Sequence, residues 1–168
     1  MTPEAASIAT LLERLSHDML AQLDGIPEPE LNRTLPLPET NSLYALATHT
    51  LGAGEYWTLV MAGGRDIPRD RPAEFRATGA YPALVARRDR WLADLRDVLD
   101  HLPATDLDRI VDMAEAFRRP WMGDPFTVRD CLLHALEHTA LHLGHVQLTA
   151  QLLRAGWAKS GTSDGEHP

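Results

Sequence analysis

The chain has 168 residues, a formal net charge of -8, 44% hydrophobic and 24% charged residues, and one cysteine, Cys131. This length suits a single domain that buries its own core, and a lone cysteine excludes an internal disulfide framework. The acidic balance lacks the basic field that a nucleic-acid partner requires. No apolar run nears the ~20 residues of a bilayer span and no basic-then-apolar leader opens the chain, so a cytoplasmic protein with no membrane partner is expected.

In chain order, a first amphipathic helix is predicted from about Pro3 to Leu23, where Ile8, Leu12, Leu15, Met19 and Leu23 recur at intervals of three and four. Pro3 suits its first turn and His17 falls on the solvated side. The linker GIPEPELNRTLPLPET is too rich in proline for a helix interior and reads as an extended connection. Thr40 or Asn41 can cap a second helix that runs to about Met61 and stops at Gly63-Gly64.

After the loop RDIPRDRPAEFRATG, a third helix is predicted from about Pro82 to Leu102. Its stripe is Leu84, Val85, Trp91, Leu92, Leu95, Val98 and Leu99, with Arg88 near the middle by angle. In the irregular stretch that follows, RIVDMAEAF reads as either a short helix or a strand-like piece. Thr127 is the expected cap of a last helix, Val128 to Ala155, with Gly156 as its stop. Residues 1–157 thus form one all-α, four-helix-bundle domain, and residues 158–168 a polar, flexible tail.

The last helix carries no Asp, Glu, Lys or Arg from His138 to Leu153. Val128, Leu132, Thr139, Leu143, Val146 and Leu153 make one face, while Leu141 and Leu148 point well away from it. A helix apolar nearly all round is buried on more than one side, which predicts a homodimer with this helix at the interface.

The same helix holds four of the eight histidines within twelve residues: His134, His138, His142 and His145. At about 100° per residue they share an arc of roughly 80°. His138 and His142 are one turn apart and nearest the core face, so they are the candidate metal ligands; His134 and His145 lie toward its margin as pocket walls. A third ligand must come from another helix, and His49 in LYALATHTLGAGEYW is the candidate. Ala45, Gly52 and Ala53 leave space around it, and Tyr56 can line that space. Three neutral imidazoles with an open position suit a catalytic divalent metal: zinc, nickel or iron. Cys131 is expected to be a buried structural thiol. The overlapping H-x-x-E-H, His134 to His138, matches the inverted zinc-protease signature. It lacks a downstream third ligand, and Glu137 points away from the core by angle.

A histidine midway along the second helix, with His138-x-x-x-His142 and Gly144 in the last, resembles the DinB-like superfamily. Where that family's motif often ends His-Arg-Gly-Gln, this chain has His142-Leu143-Gly144-His145, which keeps the triad and changes its surroundings. The resemblance implies a metal-binding four-helix bundle, commonly dimeric, with a three-histidine site. Relatives include bacillithiol S-transferases and mycothiol-dependent maleylpyruvate isomerase, so mycothiol or bacillithiol is the implied cofactor. The expected activity is transfer or addition of a low-molecular-weight thiol to an electrophilic small molecule, since metal coordination stabilises a reactive thiolate. Arg88 is expected to pair with a carboxylate of that ligand and Trp121 to close the pocket. A metal-dependent hydrolase and a non-catalytic metal-binding, stress-response dimer are the alternatives.

Overall fold

The computed structural model describes residues 1–113, 118, 120, 122 and 125–156. Trp121 and the tail from Trp157 onward lie outside these residues.

Helix α1, Pro3–Ala21, starts where the Thr2 side chain accepts the Ala5 N–H at 3.1 Å with Pro3 in the first turn. It buries Ile8, Leu12, Ser16, Met19 and Leu20. Ser16 takes the inward place expected for Leu15, its hydroxyl satisfied by the Glu13 carbonyl at 3.0 Å. The linker is not wholly extended. Pro27 and Pro29 start a single helical turn, α2, Glu28–Leu31, that buries Leu31, because proline is as good at opening a helix as it is bad inside one.

Helix α3, Leu43–Glu55, is capped by Ser42, which accepts the Ala45 N–H at 3.1 Å. The Thr40 hydroxyl instead donates to the carbonyls of Leu35 and Leu37. Every residue from Leu43 to Gly54 is buried. The helix continues as a π-helical segment, Tyr56–Ala62, and ends at Gly63 and Gly64, the latter with φ +68°. In the next loop the Asp70 side chain caps a second single turn, α4, Arg71–Glu74, accepting from Ala73 N–H at 3.0 Å; this turn packs on α3.

Helix α5, Tyr81–His101, buries Leu84, Trp91, Leu95, Val98 and Leu99. The Trp91 indole N–H donates to Thr58 Oγ1 at 3.0 Å. After a 3-10 turn, Ala104–Asp108, Ile110 forms an isolated antiparallel bridge with Thr127. The start of RIVDMAEAF is therefore strand-like, and residues 114–117 lie outside the described set. Helix α6, Val128–Arg154, opens on a reciprocal cap between Thr127 and Asp130, and Gly156 follows it with φ +74°.

Each long helix packs chiefly on two others, giving the order α1–α6–α3–α5 around an all-α bundle. α3, covered by α4 on a further side, has no solvated face, which explains its continuous burial. No helix among the described residues is long and apolar enough to cross a membrane.

Candidate metal centre

His49 lies mid-way along α3, 3% exposed, and faces His138 and His142 on successive turns of α6. Ring centroids are 5.0 Å apart for His49–His138 and for His49–His142, and 4.4 Å for His138–His142. One nitrogen from each ring lies within 4.8 Å of the other two. That spacing allows three donors to converge on one ion.

The orientation of His49 is fixed from behind. Its Nδ1–H donates to Glu74 Oε2 at 2.8 Å, which leaves Nε2 as the free donor atom. Glu74 is itself buried, 6% exposed, and accepts from Arg69 Nε at 2.7 Å and Arg69 Nη2 at 2.9 Å. Burial pushes the Glu74 carboxyl up, but the hydrogen bonds from His49 and Arg69 outweigh it and hold the group below the usual carboxylate range. The carboxylate fits because residue 52 is glycine: a Cβ there would sit 2.9 Å from Glu74 Cδ and 3.1 Å from Arg87 Nη2. Arg87 is tied to α3 by two bonds to Glu55, at 2.8 and 2.7 Å.

Burial also decides the state of the paired imidazoles. It pushes His138 down to about 2 and His142 down to about 4, helped by neighbouring histidines and the arginines at the cleft. Both are neutral at pH 7, with lone pairs available. His138 Nδ1 is buried and has no hydrogen-bond partner among the described residues, an arrangement that costs free energy unless something binds there. Three converging imidazoles, one braced by a carboxylate and one with an orphaned buried nitrogen, fit a divalent metal ion.

These histidines line a cleft of about 410 Å³, together with Tyr56, Trp57, Arg69, Arg71, Phe75 and His134. Tyr56 lies under the Arg69 guanidinium, 5.4 Å from its carbon, and burial raises its hydroxyl above the ordinary value against the opposing charge of Arg69. His134 is more enclosed than its helical angle suggests, because the Trp57 ring stands edge-on to it at 4.8 Å. Burial lowers its pKa, although Glu137 opposes this. Glu137 lines the cleft rather than facing away from it, with its side chain 74% exposed and 3.3 Å from His134 Nδ1. His145 is exposed and meets His142, Nδ1 to Nδ1 at 3.3 Å.

Arg88 does not line the cleft. Its guanidinium turns back to Asp89, at 2.9 and 2.7 Å, and Arg87 is the member of that pair that reaches α3. Trp121 lies outside the described residues. Glu74, Arg69, Arg71 and Phe75 had no sequence expectation attached; their only local signal is Asp70 before Arg71-Pro72, a helix start. Cys131 is buried on α6, where desolvation pushes its thiol up to about 12, as for a structural cysteine.

No curated protein matches the chain. Among solved structures it is similar to a conserved protein of Enterococcus faecalis, with a TM-score of 0.70 and 18% identity over 92% of this chain and 99% of that one. That likeness speaks for the fold. A profile of the DinB superfamily matches residues 11–146, which include both histidine-bearing helices. The chain belongs to the DinB superfamily.

Proposed function

We propose that this protein holds a divalent zinc, nickel or iron ion on His49, His138 and His142 and uses it to activate a low-molecular-weight thiol for transfer or addition to an electrophilic small molecule. The observation that carries this reading is the convergence of three imidazole nitrogens within 4.8 Å in a cleft that still admits a ligand. A bound ion there would supply Lewis acidity, which keeps a thiol sulfur in its nucleophilic thiolate form at neutral pH. The chain's own residues do the rest. Glu74 holds the proton on His49 Nδ1 and so presents Nε2 to the cleft. Trp57 and Phe75 give the walls apolar surface that excludes water, and Arg69 and Arg71 add positive potential near the histidines. Mycothiol and bacillithiol are the first thiols to try.

A volume of about 410 Å³ favours a ligand-binding centre over a sealed metal store. Hydrolysis would need a general base, and the one solvated carboxylate on the wall among the described residues, Glu137, is engaged with His134. We also propose that the exposed Leu133, Leu141 and Leu148 of α6 meet a second copy of the chain. Leu141→Glu with Leu148→Glu then converts a dimer to a monomer in light scattering, and an unchanged mass removes that idea.

Metal analysis of protein purified without chelator, beside His142→Ala, tests the central reading. One equivalent in the parent and a large loss in the variant are expected; metal-free parent protein refutes it. Conjugation of mycothiol, bacillithiol and glutathione to a chromogenic electrophile then tests the chemistry, and no turnover with any of them moves the reading to hydrolysis or metal binding alone.

A further inference from the structure

Among the described residues the cleft is lined by two guanidinium groups with different commitments. Arg69 is used internally, since two of its nitrogens donate to Glu74. Arg71 is exposed, has no carboxylate partner among the described residues, and lies with its guanidinium carbon 5.2 Å from the centre of the Phe75 ring. The Phe75 ring in turn lies 4.3 Å from the His49 ring, tilted by 31°. Phe75 therefore connects a cation to the histidine cluster. A guanidinium resting on an aromatic face keeps its N–H edge free for a forked contact with a planar anion.

We propose that Arg71 is the anion-recognition residue of this cleft, and that the small molecule taken up beside the three histidines carries a carboxylate. The inference rests on the metal-centre reading above and adds the charge of the ligand to it. Three features support it. Arg71 and His142 line the same cleft, so the two groups face one bound molecule. Among the described residues the one solvated carboxylate on the wall, Glu137, is engaged at His134 and does not pair with Arg71. The nearby walls, Trp57, Phe75, Met122 and Leu141, are apolar and offer no competing contact for an anion. A carboxylate a few bonds from an atom seated at the histidines is the ligand that uses both groups at once. Arg88, expected from helical angle to play this part, is turned to Asp89 instead.

The test uses cobalt(II)-loaded full-length protein and the near-ultraviolet sulfur-to-cobalt charge-transfer band as a binding readout. Mercaptoacetate and 2-mercaptoethanol are titrated into the parent protein and into Arg71→Gln. The exposed position of Arg71 lets the variant fold. Losing one charge-assisted forked contact weakens mercaptoacetate roughly tenfold, by about 1.4 kcal/mol, and leaves 2-mercaptoethanol unchanged. Added salt reduces the parent's preference and not the variant's. Comparing parent with variant cancels any intrinsic difference between the two thiols. An unchanged mercaptoacetate affinity in Arg71→Gln overturns the inference and leaves the metal centre standing. Parent protein that takes up no cobalt overturns the metal reading and this inference with it. If cobalt binds and neither thiol gives the band, the thiol chemistry falls and acetate decides the anion site. Acetate that perturbs the cobalt d–d bands of the parent but not of the variant supports Arg71, and no perturbation in either overturns it.

Discussion

Gly52→Ala is the sharpest perturbation of the site that touches none of the three histidines. The added Cβ would lie 2.9 Å from Glu74 Cδ and 3.1 Å from Arg87 Nη2, so the carboxylate must move. It is not free to do so cheaply, because it accepts from His49 at 2.8 Å and from Arg69 at 2.7 and 2.9 Å. A buried donor left unsatisfied costs about 1–3 kcal/mol. Replacing glycine by alanine inside a helix returns roughly 0.5–1 kcal/mol. The net loss is about 0–2.5 kcal/mol, with a midpoint of about 1 kcal/mol, or roughly 2–4 °C in melting temperature for a domain of this size. Metal affinity should fall by about 10–100-fold, the usual effect of losing a carboxylate behind a ligating histidine. Gly54→Ala is the control. Its Cβ would meet the buried Trp91 ring at 2.5 Å, which destabilises the fold but lies away from Glu74. Chelator competition with zinc, read beside thermal melts, separates the two: Gly54→Ala lowers the melting temperature and keeps the affinity, whereas Gly52→Ala lowers both. A Gly52→Ala protein with parental zinc affinity would refute the claim that the Glu74 bond orients His49.

The pH dependence of the metal-free protein follows from the buried imidazoles. Below about pH 6.5 the unfolded chain takes up protons that His142 refuses until about pH 4 and His138 until about pH 2, so stability is present above about 6.5 and is lost as pH falls toward 4. Melting curves in chelator should show this decline; a flat profile from about pH 7.5 to about 5 contradicts neutral burial of the pair. Cys131, with its thiol pushed up to about 12, should react with Ellman's reagent only after unfolding, and rapid labelling of the native protein at about pH 8 would show that the α6 packing is wrong.

The histidine triad was legible because helical period pairs two of its members and small neighbours mark the third. His138 and His142 share a face by spacing, and His49 stands among small residues on a helix that must pack nearby. Glu74 was not legible. It lies in a proline-bearing loop 25 residues beyond His49, and its place depends on a slot made by the missing side chain of Gly52. The expectation for Arg88 failed for a related reason. Angle along α5 ranks residues against the average stripe, but Glu55 on α3 captures the neighbouring guanidinium and Asp89 takes the other. The linker and the Asp70 turn show proline acting in both directions, ending one helix and opening another. The π-helical segment after Glu55 has no sequence signal distinct from an ordinary α-helix, so its predicted end near Met61 came out almost correct while its geometry did not.

The complete burial of α3 gives the seven residues from Arg69 to Phe75 an unusual standing. In most bundles a loop between helices tolerates change because it only connects them. Here that turn supplies the carboxylate behind one histidine, the ring beside it and both arginines that line the cleft among the described residues. The bundle and its histidines can therefore stay constant while substitutions in one short loop alter the charge and shape that an incoming molecule meets. Exchanging that loop between proteins of this architecture would be expected to transfer ligand preference, while stability stays with the long helices.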